Sequence, residues 1–179
     1  MTDLQWPTPE QLHSDRLLLE PLRGDHVDEA FPLLDDVRLH AFTGGAPDTF
    51  DELTARFARQ VLGCSPDGQH GWLNWMLRHR DGGPLLGTVQ ASLTRIEDQT
   101  VGGVKTMEVE LAWVIGHDHQ GNGYATEAAS AVVAWLAARG AQRFSAHIHP
   151  DHHASAAVAR RLGLHLTDRV VDGELLWTN

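Results

Sequence analysis

With 179 residues, 42% of them hydrophobic, the chain holds enough apolar surface for one packed core, and a single domain spanning 1–179 is expected. Its 24 acidic residues outweigh 14 basic ones to leave a net charge of -10, with Lys105 the only lysine, which disfavours nucleic acid and anionic membranes as partners and suits a cationic one. There is no apolar run of about 18 residues to span a bilayer, no basic-then-apolar leader, and no partner for Cys64, so a cytoplasmic setting is expected.

Residues 16–22 (RLLLEPL) read as a strand, after which Asp25 offers an N-cap to an apolar-periodic helix over 27–34 that Pro32 must stop or kink. Thr49 and Glu52 form a capping-box pattern, and Leu53, Phe57 and Val61 then recur at helical spacing until Gly63. From Trp72 the period shortens. Segments 72–78, 84–93 and 107–115 are rich in β-favouring residues and are separated by turns at Asp81-Gly82-Gly83 and Gly102-Gly103, which predicts three antiparallel strands. Over 123–139, Ala125, Ala128, Ala129, Val132, Val133 and Leu136 fall at helical intervals, with Gly140 placed to end the helix. A strand over 143–148, a helix from Asp151 to about Leu162-Gly163, and a hairpin of 164–171 and 174–177 turned at Asp172-Gly173 complete the order. This is an α/β layer fold with a mixed sheet. The apolar Leu175-Leu176-Trp177 suits either a homodimer edge or the core.

The chemistry concentrates in 109–127, VELAWVIGHDHQGNGYATE, where a strand passes through a short glycine-containing loop into the longest helix. Unpaired N–H groups at such a helix start, together with its dipole, hold an anionic phosphate without any lysine. A Walker A loop needs Gly-Lys-Ser/Thr, and a dinucleotide fingerprint needs a third glycine where Thr126 stands, so both fit badly. On the strand, period two puts Met107, Val109, Leu111 and Ile115 on one face and Glu108, Glu110, Ala112 and Val114 on the other.

The run Gln120-Gly121-Asn122-Gly123-Tyr124-Ala125 resembles the coenzyme A pyrophosphate loop of the GNAT N-acetyltransferases. With the opening SDRLLLEPLRGDHVDEAFPLL and the later HPDHHASAAVARRLGL, the chain is similar over nearly its whole length to the branch that acetylates ribosomal-protein N-termini and small amines. The resemblance implies the acyl-CoA N-acyltransferase fold, a mostly antiparallel mixed sheet flanked by helices with splayed central strands. It further implies acetyl-CoA as co-substrate, bound at Trp113, Val114 and Ile115 and by the loop residues 120–125, and direct transfer to a small-molecule amine or peptide N-terminus.

By the same resemblance Glu110 is the general base, since an amine nucleophile must lose a proton before it attacks a thioester. Ser155 would donate to the departing sulfur, because Arg160 stands where many relatives carry a tyrosine; His153 replaces their usual asparagine beside the cofactor. These departures keep open a non-catalytic coenzyme A sensor with the same fold. His147, His149, His152 and His153 lack the further ligands of a metal site, so no metal is expected and they read as surface or cleft residues.

Overall fold

The computed structural model describes residues 6–42, 44–98 and 104–179. The strands are β1 (Leu12–His13), β2 (Leu17–Pro21), β3 (His70–His79), β4 (Leu85–Asp98), β5 (Val104–Ile115), β6 (Ala141–Ile148), β7 (His165–Val171) and β8 (Glu174–Thr178). The helices are α1 (Val27–Leu34), α2 (Phe50–Gln60), α3 (Tyr124–Ala137) and α4 (His153–Arg161). One sheet takes all eight strands in the order β1-β2-β3-β4-β5-β6-β8-β7, antiparallel throughout except where β5 meets β6 in parallel. The expected turn at Gly102-Gly103 lies outside the described residues.

Alternation along the central strands divides the core. Leu73, Trp75, Leu77, Val89, Ala91, Leu93, Val109 and Leu111 face α3 and α4, where Ala128, Ala129, Val132, Leu136 and Ala159 close the layer. Met76 points the other way, into a smaller cluster with Val27, Ala30, Leu53 and Phe57 of α1 and α2. Trp75 is fully buried and its indole N–H donates to the Glu10 carbonyl at 2.8 Å, so the largest core side chain leaves no polar atom unpaired. Leu176 and Trp177 are buried as well; the closing segment belongs to the core, and the edge strand is β7.

Local details depart from the sequence reading at element ends. The Thr49–Glu52 capping box is present, with Thr49 N–H to Glu52 Oε2 at 2.8 Å, but α2 stops at Gln60 and leaves Val61 exposed. Asp25 does not cap α1. It lies in a short 3-10 turn, Gly24–His26, and pairs with Arg23 at 3.0 Å, because the turn brings His26 to the helix start instead. Pro32 is accommodated inside α1, which ends two residues later at Leu34. His152 caps α4, so that helix starts later than Asp151.

Two histidines are expected to make folding sensitive to mild acid. His26 is buried, its Nδ1 accepts the Arg23 N–H at 3.1 Å, and its Nε2 stands 3.7 Å from the Glu20 carboxylate. Burial, then the Arg23 charge, holds this imidazole below its ordinary pKa of 6.5 despite Glu20 and Asp25; burial, then His149 and His153, does the same for His152. The unfolded chain therefore binds more protons than the folded one in the window just below 6.5. Stability is expected to be full above that pH and to fall as pH drops through it. A melting temperature that stays flat or rises between pH 7.5 and about 5.5 would contradict this, and His26→Gln should flatten the slope.

Candidate active site

β5 organises the site because its two neighbours part company along it. Pairing with β4 runs the length of the strand to Gly87↔Ile115, whereas pairing with β6 begins at Met107↔Ala141 and ends at Glu110↔Ser145. Beyond Ser145, β6 is held by β8, through Ala146↔Trp177 to Ile148↔Leu175. Residues 111–115 of β5 thus have no β6 partner and border a gap. At this end β4 and β5 approach so closely that a Cβ on Gly87 would overlap the Val114 carbonyl oxygen. Gly116 N–H bonds the Leu86 carbonyl at 2.9 Å, and antiparallel alternation from that pair turns the backbone of Val114 toward β4 and those of Trp113 and Ile115 toward the gap. Of the three β5 residues expected to bind the cofactor, Val114 therefore directs its amide at β4 instead of the gap.

One wall of the gap is α4. The Trp113 indole N–H donates to Ser155 Oγ at 3.2 Å, leaving the serine's own proton free, while Ser155 N–H meets His152 Nδ1 at 3.4 Å. His153 is exposed at the start of the same helix. Arg160 lies 5.1 Å from the Trp177 ring, packed as a structural cation over an aromatic face.

The loop before α3 has the backbone that an anion needs. Gly121 and Gly123 take φ of 78° and 80°, left-handed values that favour glycine, and the first helical bond is Glu127 N–H to the Gly123 carbonyl at 3.1 Å. The amides of residues 121–126 have no partner among the described residues. Side chains fix the loop: Gln120 Nε2 donates to the Ile115 carbonyl at 3.1 Å, and Asn122 Nδ2 to the carbonyls of His119 and Gln120. Tyr124 points away, its hydroxyl 3.2 Å from His79 Nε2.

Arg16 was not among the expected site residues, yet its guanidinium donates to the Asn122 carbonyl at 3.0 Å and stands 3.6 Å from where a Cβ on Gly123 would fall. It is positioned by Glu127, which accepts from Ser14 Oγ at 2.6 Å, Arg16 N–H at 2.8 Å and Arg16 Nε at 2.8 Å. Burial alone raises the Glu127 pKa, but the Ser14 hydroxyl, the Arg16 backbone and the Arg16 guanidinium outweigh it and hold the carboxylate ionised. The loop therefore has a cation beside its free amides. Only the tertiary pairing of two segments 111 residues apart reveals it.

On the opposite face, Glu110 stands at the last β5–β6 pair, where the strands separate. Its Oε1 is 3.0 Å from His147 Nδ1, an acid–base pair that the sequence reading left among the surface histidines. The parallel register that places Ser145 opposite Glu110 puts His147 one pleat further along the same face. Neighbouring this pair is a cavity of about 230 Å³ lined by α2, β3 and β4. Among the described residues no cluster of His, Cys, Asp or Glu gathers with metal-site geometry; His149 and His152 instead flank the Phe42 ring at 5.8 and 4.3 Å.

A mixed sheet whose central strands splay beside a helix start with free amides, with a carboxylate–imidazole pair at the fork, defines an α/β protein with an open gap between strands and a loop suited to an anion. The acetyltransferase (GNAT) domain model matches residues 16–165, and the chain belongs to that family of acetyltransferases. Bacillus subtilis YkkB is 30% identical over 113 residues, 55% of this chain, and the match spans 62% of that relative's length. A structure described as a GnaT-family acetyltransferase from Bordetella pertussis superposes with a TM-score of 0.70 at 26% identity, covering 96% of this chain and 99% of that one. The ribosomal-protein α-N-acetyltransferase RimL, solved with coenzyme A, gives 0.71 at 18% identity over 95% and 97% of the two chains and shares the fold.

Proposed function

We propose that the protein, acting as a single domain, transfers the acetyl group of acetyl-CoA directly to a primary amine, either a peptide N-terminus or a small molecule. The observation that carries this reading is the Glu110–His147 pair at the fork of β5 and β6, with the free amides of the α3 loop at the far end of the same gap. Acetyl-CoA supplies the activated acyl group and an anionic pyrophosphate. The loop amides and Arg16 would hold the pyrophosphate, and the edge of β5 that β6 leaves free, at Trp113 and the Ile115 amide, would pair with the extended pantetheine arm.

Glu110 takes the amine's proton, directly or through a water, while His147 fixes the carboxylate by its Oε1 and leaves Oε2 toward the acceptor. A Trp113 amide aimed into the gap can meet the negative charge that develops on the thioester oxygen. Ser155, whose oxygen already accepts from Trp113, keeps its proton for the departing sulfur. No acyl-enzyme is invoked, since Cys64, bridged to Gly71, is separated from Glu110 by the width of β4 and β3, about 14 Å at the spacing of a sheet.

Calorimetry and thermal shift with acetyl-CoA, against ATP and NAD as controls, test the cofactor assignment. Binding of acetyl-CoA alone, with turnover on an amine panel, is the expected result. Binding without acetylation of any amine would favour a coenzyme A sensor, and no binding would remove both readings.

A further inference from the structure

The cavity beside Glu110 carries a charge opposite to that of the whole chain. Arg56 and Arg59 of α2 both line it, three residues apart on one helical face, and none of the residues lining it is acidic. Arg56 is partly neutralised by Asp48 at 3.0 Å, but its buried Nε has no hydrogen-bond partner among the described residues. The Arg59 carbonyl accepts the Leu62 N–H at 3.2 Å, but its side chain enters none of the ion pairs or hydrogen bonds among the described residues and presents its guanidinium to the cavity. The floor is formed by β3 and β4, where Asn74 pairs in register with Gln90 and Trp72 with Ser92. Asn74 is buried, and neither its side-chain amide nor that of Gln90 is hydrogen-bonded among the described residues.

Register ties this cavity to the acid–base pair. Ser92 is directly opposite Glu110 and Gln90 opposite Ala112, so the floor lies one to two strands away, about 5–10 Å at the spacing of a sheet. Such a distance exceeds the separation of amine and carboxylate in a free α-amino acid and matches that between a peptide's N-terminus and a side chain one or two residues in. We infer that the acceptor is a peptide N-terminus followed closely by an acidic residue: Arg59, with Arg56, takes the carboxylate, Asn74 and Gln90 take a backbone amide, and Trp72 walls the site. This rests on the reading of the Glu110 cleft as the acceptor side of an acetyltransferase. It reverses the cationic partner that the net charge of -10 suggests, because a pocket's own lining outweighs a screened global field.

The test uses the whole protein with acetyl-CoA and three matched peptides, Ala-Glu-Ala-Ala, Ala-Gln-Ala-Ala and Ala-Lys-Ala-Ala amides. The expected kcat/KM for the glutamate peptide exceeds that for the lysine peptide by about tenfold or more, and Arg59→Glu inverts the order while Arg59→Lys keeps it. Equal or better use of the lysine peptide, or an order unmoved by Arg59→Glu, overturns the inference. Calorimetric binding of the same peptides to the acetyl-CoA complex separates it from the question of turnover. The same order of affinities without acetylation upholds the anionic preference and sinks only the enzymatic reading. Absence of binding by any of the peptides overturns the preference itself.

Discussion

Glu110→Gln is expected to lower kcat by about 10²–10⁴-fold while leaving the affinity for acetyl-CoA within about twofold of the unaltered protein. Glutamine preserves the shape and still offers an oxygen or an amide to His147, but it cannot accept the amine's proton. The groups proposed to hold the cofactor, the loop amides and the Trp113 edge, lie along the gap rather than on the face that Glu110 occupies. His147→Gln should lose less, about tenfold, since its role is to hold one carboxylate oxygen at 3.0 Å. If the two act as a unit, the double variant is no slower than Glu110→Gln alone. Additive losses would show that His147 acts independently, and an unchanged kcat for Glu110→Gln would remove Glu110 from the chemistry altogether.

Gly123→Val should weaken acetyl-CoA binding by about 10–100-fold, with kcat at saturating acetyl-CoA nearly unchanged. Gly123 has φ 80° and ψ 6°, a left-handed conformation that a β-branched residue adopts only at a cost of roughly 1–3 kcal/mol. Relief of that strain rotates the peptide units on either side, and with them the free amides that open α3. The added Cβ itself meets only ordinary contact, 3.6 Å from an Arg16 guanidinium nitrogen, so backbone strain and not a clash carries the effect. Titration calorimetry reads the loss directly, and a melting temperature measured without ligand separates it from general destabilisation. Undiminished affinity in a folded variant would mean that the pyrophosphate is bound elsewhere.

Periodicity and turn chemistry are local, and what they control was legible. The capping box at Thr49, the apolar stripe of α3, the alternation of β5 and the glycines of the α3 loop each depend on residues within a few positions of one another. The position of Glu110 on the face away from α3 followed from period two alone. Element ends were read less well, because they depend on packing. Val61 continues the helical stripe in sequence but falls where α2 has already passed the core, and Asp25 was displaced as a cap when His26 became buried.

The sequence by itself determined that this chain forms an α/β layer with a glycine-containing strand–loop–helix unit, since each of those features is written in short-range spacing. Only the tertiary structure decided which groups converge on the unit. Arg16 reaches the α3 loop through Glu127, His147 reaches Glu110 through a parallel register that ends where the strands splay, and Arg59 meets the polar residues of β3 and β4 because α2 packs over them. The physical reason is that a pairing between distant segments is selected by the burial of both partners and their neighbours together, a sum over the whole core that no local window contains.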